Sequence, residues 1–158
     1  MLKLNEVRTP ILKGLKAFTG NTVIMADQTG KAPAYPYYTI KFITVSETIG
    51  QPNESTKQEM VQFDQVTELV VSVMSYSNLL DASFDNAYKA LEWFKGIGHY
   101  VLADEKIIVV KTDPISSRDT FINVDYERRH GFDVKLRVMT RSEYDVGTIE
   151  RVTVTIHD

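Results

Sequence analysis

The residues best suited to proton transfer or metal binding are His99, His130 and His157, and no two of them stand at a metal-ligand spacing. No carboxylate triad accompanies them, so each reads as a surface or strand-end histidine. The chain has no cysteine, which excludes thiolate metal sites and disulfides. Serines are plentiful, but none sits in a G-x-S-x-G elbow. Asp104-Glu105 adjoins Lys106 and reads as a solvated turn. Gly96-x-Gly98 lacks a third glycine and follows a helical stretch, so it stops a helix and cradles no nucleotide. Asn53-Glu54-Ser55 matches a glycosylation acceptor, a chance match where Met1–Glu6 begins no apolar leader run. No catalytic residue, cofactor site or metal site is predicted.

The stretch "DQTGKAPAYPYYTIKF" invites a phosphate-binding reading because Lys31 follows Gly30. A phosphate loop needs G-x-x-x-x-G-K-[ST] between a strand and a helix. Here Ala32 and Pro33 follow, and the next element is extended, so that chemistry is rejected. The prolines fix φ and remove donors, which makes this a stiff entry to a strand. Its tyrosines either tuck onto the core or, as Tyr35, Tyr37 and Tyr38, meet a partner chain through an apolar body and a polar tip.

The elements that would carry these residues follow from periodicity. Leu4–Thr19 is a helix with Val7, Ile11, Leu15 and Phe18 on one stripe. Gly20 ends it, and Asn5 or Thr9 caps it, depending on how Pro10 is accommodated. Val23–Met25 is a short strand. Tyr37–Glu47 is a strand, Thr48–Lys57 a polar turn segment, and Gln58–Tyr76 a long extended stretch that must bend or bulge. Together these make a hairpin whose tip projects. Leu79–Lys95 is a helix with Phe84, Ala87, Tyr88, Leu91 and Phe94 inward, followed by a strand over Tyr100–Val110 and a loop over Thr112–Asp119. The rest alternates as strands: Phe121–Arg129, then Phe132, Val134, Leu136 and Val138, then Val152, Val154 and Ile156. The predicted class is α+β: a mostly antiparallel β-sheet with two main helices packed on one face and a projecting β-hairpin, forming a single domain over residues 1–158.

Length and composition agree. A chain of 158 residues with 43% hydrophobic and 25% charged residues is a one-domain, core-forming profile. No stretch approaches a membrane span. A net charge of −3 argues against a protein that grips nucleic acid through phosphates, and leaves room for one that nucleic acid merely passes.

The densest signal is "YERRHGFDVKLRV", Tyr126–Val138. Glu127 and Arg129 share one strand face, and Tyr126 and Arg128 the other. His130-Gly131 permits a turn or bulge. The segment is either a charged hairpin wet on one side, or a surface whose Arg128 and Arg129 bind acids of a neighbouring subunit.

"LNEVRTPILKGLKAFTG", "VIMADQTGKAPAYPYYTIKF" and "YERRHGFDVKLRV", in that order, resemble the phage neck terminator family, head–tail connection or tail-terminator proteins of tailed phages. The likeness runs from about residue 4 to the last strand. It implies an architectural role without catalytic residues. The expected function is a structural virion protein forming a ring of six subunits at the neck. That ring caps the tail tube and joins it to a head-completion or connector protein, and DNA passes through its channel. Assembly would take place in the host bacterial cytoplasm. Free strand edges and the hairpin would pair copies of the chain. Interface candidates are Tyr35, Tyr37, Tyr38, Gln51, Asn53, Glu54, Glu127, Arg128, Arg129 and Asp133. The alternatives are a monomeric peptide-binding regulatory module, which would grip an extended peptide by strand addition, and a small enzyme.

Overall fold

The computed structural model describes residues 1–122 and 125–146. Helix α1 spans Leu4–Thr19, the bounds its periodicity predicts. Val7, Ile11 and Leu15 are buried at four-residue steps. Phe18 stays 41% exposed, and Thr19 turns inward instead, its hydroxyl donating to the Leu15 carbonyl at 2.8 Å. Gly20 adopts φ 75°, a left-handed C-cap that costs a residue without Cβ little, and its amide donates to the Lys16 carbonyl. Neither Asn5 nor Thr9 caps the start. Lys3 holds that position with no side-chain bond, and Pro10 lies inside the helix without ending it.

Strand β1, Thr22–Met25, pairs in parallel with β2, Tyr37–Lys57. β2 turns back into β3, Met60–Ser77, through Gln58-Glu59, with Gln58 at φ 55°. The predicted polar turn over Thr48–Lys57 is therefore strand. Its residues are exposed on both faces, so nothing forces the apolar alternation by which strands are read. The bulges fall on β2, not on the stretch expected to bend. β2 takes 20 steps from Tyr37 to Lys57 where β3 takes 16 from Tyr76 to Met60, and the shifts lie after Phe42, Thr44 and Ile49.

β3 lies straight against β7, Asp125–Asp145, in unbroken register from Met60↔Asp145 to Ser77↔Arg128. The turn or bulge expected at His130-Gly131 is absent, and the strand runs through. Glycine is needed there for space: a Cβ on Gly131 would lie 2.6 Å from both Met74 Cγ and the Val73 carbonyl oxygen. The strand order is β1-β2-β3-β7-β4, with β4 at Ile108–Thr112. β5, Ser116–Ser117, and β6, Thr120–Ile122, pair farther along β7, so part of the expected Thr112–Asp119 loop is bridged to the sheet. All pairings except β1 with β2 are antiparallel. The strand expected around Val152, Val154 and Ile156 lies outside the described residues.

Helices α2, Leu80–Lys95, and α3, Ile97–Asp104, complete the described elements. Three helices are present among the described residues where two main ones were expected, because Ile97–Asp104 is helix and the strand begins only at Ile108. The inward face of α2 also differs. Ser83, Ala87, Ala90, Trp93 and Phe94 are buried, while Phe84 and Tyr88 are about half exposed. Small residues face inward because they let the helix approach the sheet closely. The core joins Ile11 and Leu15 of α1, Trp93 and Phe94 of α2 and Leu102 of α3 to Ile40, Leu69, Val71, Val73, Phe132, Val134 and Leu136. The strand residues lie on one sheet face, and burying each large side chain there contributes about 1.5–3 kcal/mol. The fold is α+β, as its alternation predicts. The projecting part is a three-stranded arm, since β7 runs beside β3 to the tip.

Candidate functional site

The tyrosines of the Pro-rich entry divide. Tyr38 is core: 1% exposed, its hydroxyl donates to the Asn86 carbonyl at 2.7 Å, and burial pushes it up to about 12. Tyr37, at the start of β2, is buried on the other sheet face and stacks on Tyr76 with ring centroids 4.8 Å apart. Tyr35 stacks on Tyr37 at 5.8 Å and is 43% exposed, so it forms the wet end of a three-ring pile. Its hydroxyl donates to Glu127 Oε2. That bond, with some burial and the nearby carboxylate charge, raises the Tyr35 hydroxyl to about 12. A cavity of about 440 Å³ lies beside the pile, between Tyr37 and Tyr76 and the loop over Ala26–Pro33.

The ionic residues of β7 tie this pile to the sheet. Arg129 lies over the Tyr76 ring at 4.9 Å and pairs with Glu127 at 2.5 Å. Cross-strand register accounts for the contact, since Tyr76 is the partner of Arg129. Arg128 Nη1 donates to Asp119 at 3.0 Å, and the Arg129 amide donates to the same carboxylate at 2.8 Å. Burial opposes ionisation of Asp119, but the Arg129 amide and the Arg128 guanidinium outweigh it and hold the carboxyl below its usual value. Both arginines thus have acids within their own chain. Asp133 is likewise held 3.4 Å from Arg118, whose other nitrogen donates to Ser72 at 2.8 Å.

Gln51, Asn53 and Glu54 are exposed on the rising strand of the arm, short of its tip at Gln58-Glu59. They stand apart from the tyrosine pile. Along the helix-free face of the arm and sheet runs a ladder of cross-strand ion pairs that periodicity alone did not reveal. Arg141 donates to Asp64 at 2.7 Å, and Arg137 to Glu68 at 3.0 Å with Lys135 3.7 Å away. The alternation of Asp133, Lys135 and Arg137 was its visible trace. The acidic partners on β3 could be matched only once register was known.

The chemistry available is that of a surface. Among the described residues no group of three or more His, Asp or Glu could hold a metal. Ser83 Oγ lies 3.0 Å from His130 Nδ1, a pairing no motif indicated. Ser83 is wholly buried, so the pair cannot meet a substrate; it ties the start of α2 to β7. No helix is long and apolar enough to cross a membrane among the described residues.

Comparison with known proteins gives one family. A family model described as phage neck terminator protein matches residues 9–158. No curated protein matches the chain.

Proposed function

The chain belongs to the phage neck terminator family, a structural component of the virion neck, and we propose that it acts there as one subunit of a ring, of six copies, that caps the tail tube. The ring joins the tube to a head-completion or connector protein, and DNA passes through its channel without specific binding. Assembly takes place in the host bacterial cytoplasm, and the protein carries out no catalysis. The single observation that carries this reading is the family match across nearly the whole chain.

Two features of the fold support it. β1 covers the outer edge of β2 only from Tyr37 to Ile40, so the edge from Lys41 to Lys57 has no strand beside it among the described residues. β4 likewise covers the outer edge of β7 only as far as Arg137; beyond it Val138–Asp145 has no strand beside it among those residues, and the Met1 amino group donates to the Arg141 carbonyl there. Open edges are templates for pairing with another chain, and two different edges favour head-to-tail contacts that can close. Tyr35 and the arm residues Gln51, Asn53 and Glu54 are the exposed members of the proposed contact surface. Tyr37, Glu127, Arg128, Arg129 and Asp133 support it from beneath, and Tyr38 belongs to the core.

Negative-stain electron microscopy of the purified protein mixed with tail tubes tests the reading. Rings seated on tube ends are expected. Tubes with bare ends at saturating protein would overturn it.

A further inference from the structure

The helical layer carries a ridge on one flank and a groove on the other. The ridge is Leu80, Phe84 and Tyr88, at four-residue steps on α2, each 45–50% exposed, with Leu79 beside them at 63%. Phe84 and Tyr88 lie 6.1 Å apart and present one aromatic edge. Isolated exposed apolar residues need no explanation, but a contiguous row of this size marks a contact surface. The groove, about 1010 Å³, runs between α1 and α3. Pro10, Gly14 and Phe18 form one wall, Ile97 and Val101 the other, and Trp93 the floor. The floor is tight: a Cβ on Gly14 would fall 2.3 Å from the Trp93 ring, and one on Gly98 2.4 Å.

We propose that the groove of one copy receives the α2 ridge of the next copy, making the helical layer a head-to-tail contact of the ring; this rests on the ring reading above. The position of the two surfaces argues for a second copy of this chain. Trp93 lies nine residues beyond Phe84, two and a half helical turns, so floor and ridge project from opposite sides of α2. Different patches on opposite flanks cannot make a two-fold self-contact, and they repeat from copy to copy around a closed ring.

Hydrogen bonding agrees, and one ion pair is available: Lys13 lies in the groove, whose lining also holds Glu6 and Glu105, Asp81 and Asp85 flank the ridge, and none of Lys13, Asp81 and Asp85 has an ion pair among the described residues. Pro10 has no amide hydrogen, so the Glu6 carbonyl on the groove wall lacks its usual helical donor. The exposed Tyr88 hydroxyl on the ridge is a donor that fits it.

The test uses two full-length variants altered at exposed positions. Phe84→Glu with Tyr88→Glu destroys the ridge and keeps the groove. Ile97→Glu with Val101→Glu does the reverse. Circular dichroism checks that each is folded, and Phe84→Ser and Ile97→Ser replace any variant that is not. By mass photometry, each variant alone should associate at least tenfold more weakly than wild type. An equimolar mixture, which retains one good contact per pair, should yield dimers and no rings. Rings of wild-type size from either folded variant would overturn the proposal while leaving the ring reading intact. Such rings that no longer cap tail tubes would reassign the surface to a tail or head protein, and also overturn it. Wild-type protein that forms no ring, alone or on tubes, would overturn both.

Discussion

At the scale of single residues, the side chains with the most obvious chemistry turn out to be holding the molecule together. Arg128 and Arg129, read from sequence either as part of a wet, charged hairpin or as cations awaiting a neighbour's acids, are met by Asp119 and Glu127 of the same chain. Sequence shows that a strand carries charge on both faces. It does not show which acids lie across the sheet, because that depends on a register set by residues far away. Gly131 shows another limit. Glycine beside histidine suggests a turn, yet the requirement is room for Met74 and the Val73 carbonyl. Gly131→Ala should therefore destabilise the fold by about 1–3 kcal/mol through overpacking, read as a lower urea midpoint; an unchanged midpoint would contradict the close approach. Tyr35 yields a pH prediction. Its bond to Glu127 raises the folded hydroxyl to about 12 from 10.0, so the folded state holds this proton more tightly than the unfolded chain. The stability it confers is present in full below about pH 10 and disappears as pH rises toward about 12. Tyr35→Phe should accordingly unfold at lower urea than wild type at pH 8, with the gap closing across that window. A gap that is the same at pH 8 and pH 11.5 would show that the bond is not responsible.

At the scale of elements, what the sequence revealed depended on whether an element buries a single clean stripe. Helix α1 does, and its bounds were legible to the residue. Helix α2 was legible as a helix, but its phase was not. Phe84 and Tyr88 are large and apolar and so suggest an inward face, whereas the sheet receives Ser83, Ala87 and Ala90. That misfit is what exposes the ridge. Helix α3 was hidden because eight residues after a glycine are too few to display a helical period beside the apolar run that follows. The upper part of β2 was hidden because it buries nothing. The arm is accordingly a projection whose integrity depends on backbone pairing and ion pairs more than on the core. Excising Glu54–Phe63 and joining Asn53 to Asp64, its register partner, through an Asn-Gly turn should leave thermal unfolding of the body within a few degrees of wild type. The shortened protein should fail to cap tail tubes. Collapse of the fold would show that the arm belongs to the core, and normal capping would remove it from the assembly surface.

At the scale of the whole molecule, the fold places nearly all its apolar burial between three helices and one sheet face, and leaves the opposite face to ion pairs and tyrosines. Two sheet edges and both flanks of the helical layer remain available for another chain. These are properties of a building block, and among the described residues the Ser83–His130 pair is closed to solvent. The family match supplies the setting, the virion neck. The class of the fold was legible from alternation and helix count alone, while the open edges were not, since an edge is defined by the neighbour it lacks. The most direct test of the account is the mass of the wild-type protein in solution across a concentration series. The account predicts one closed species at six times the 18.0 kDa chain mass, with no continuous ladder of longer forms. A chain that stays at 18.0 kDa at every concentration, with or without tail tubes, would contradict it.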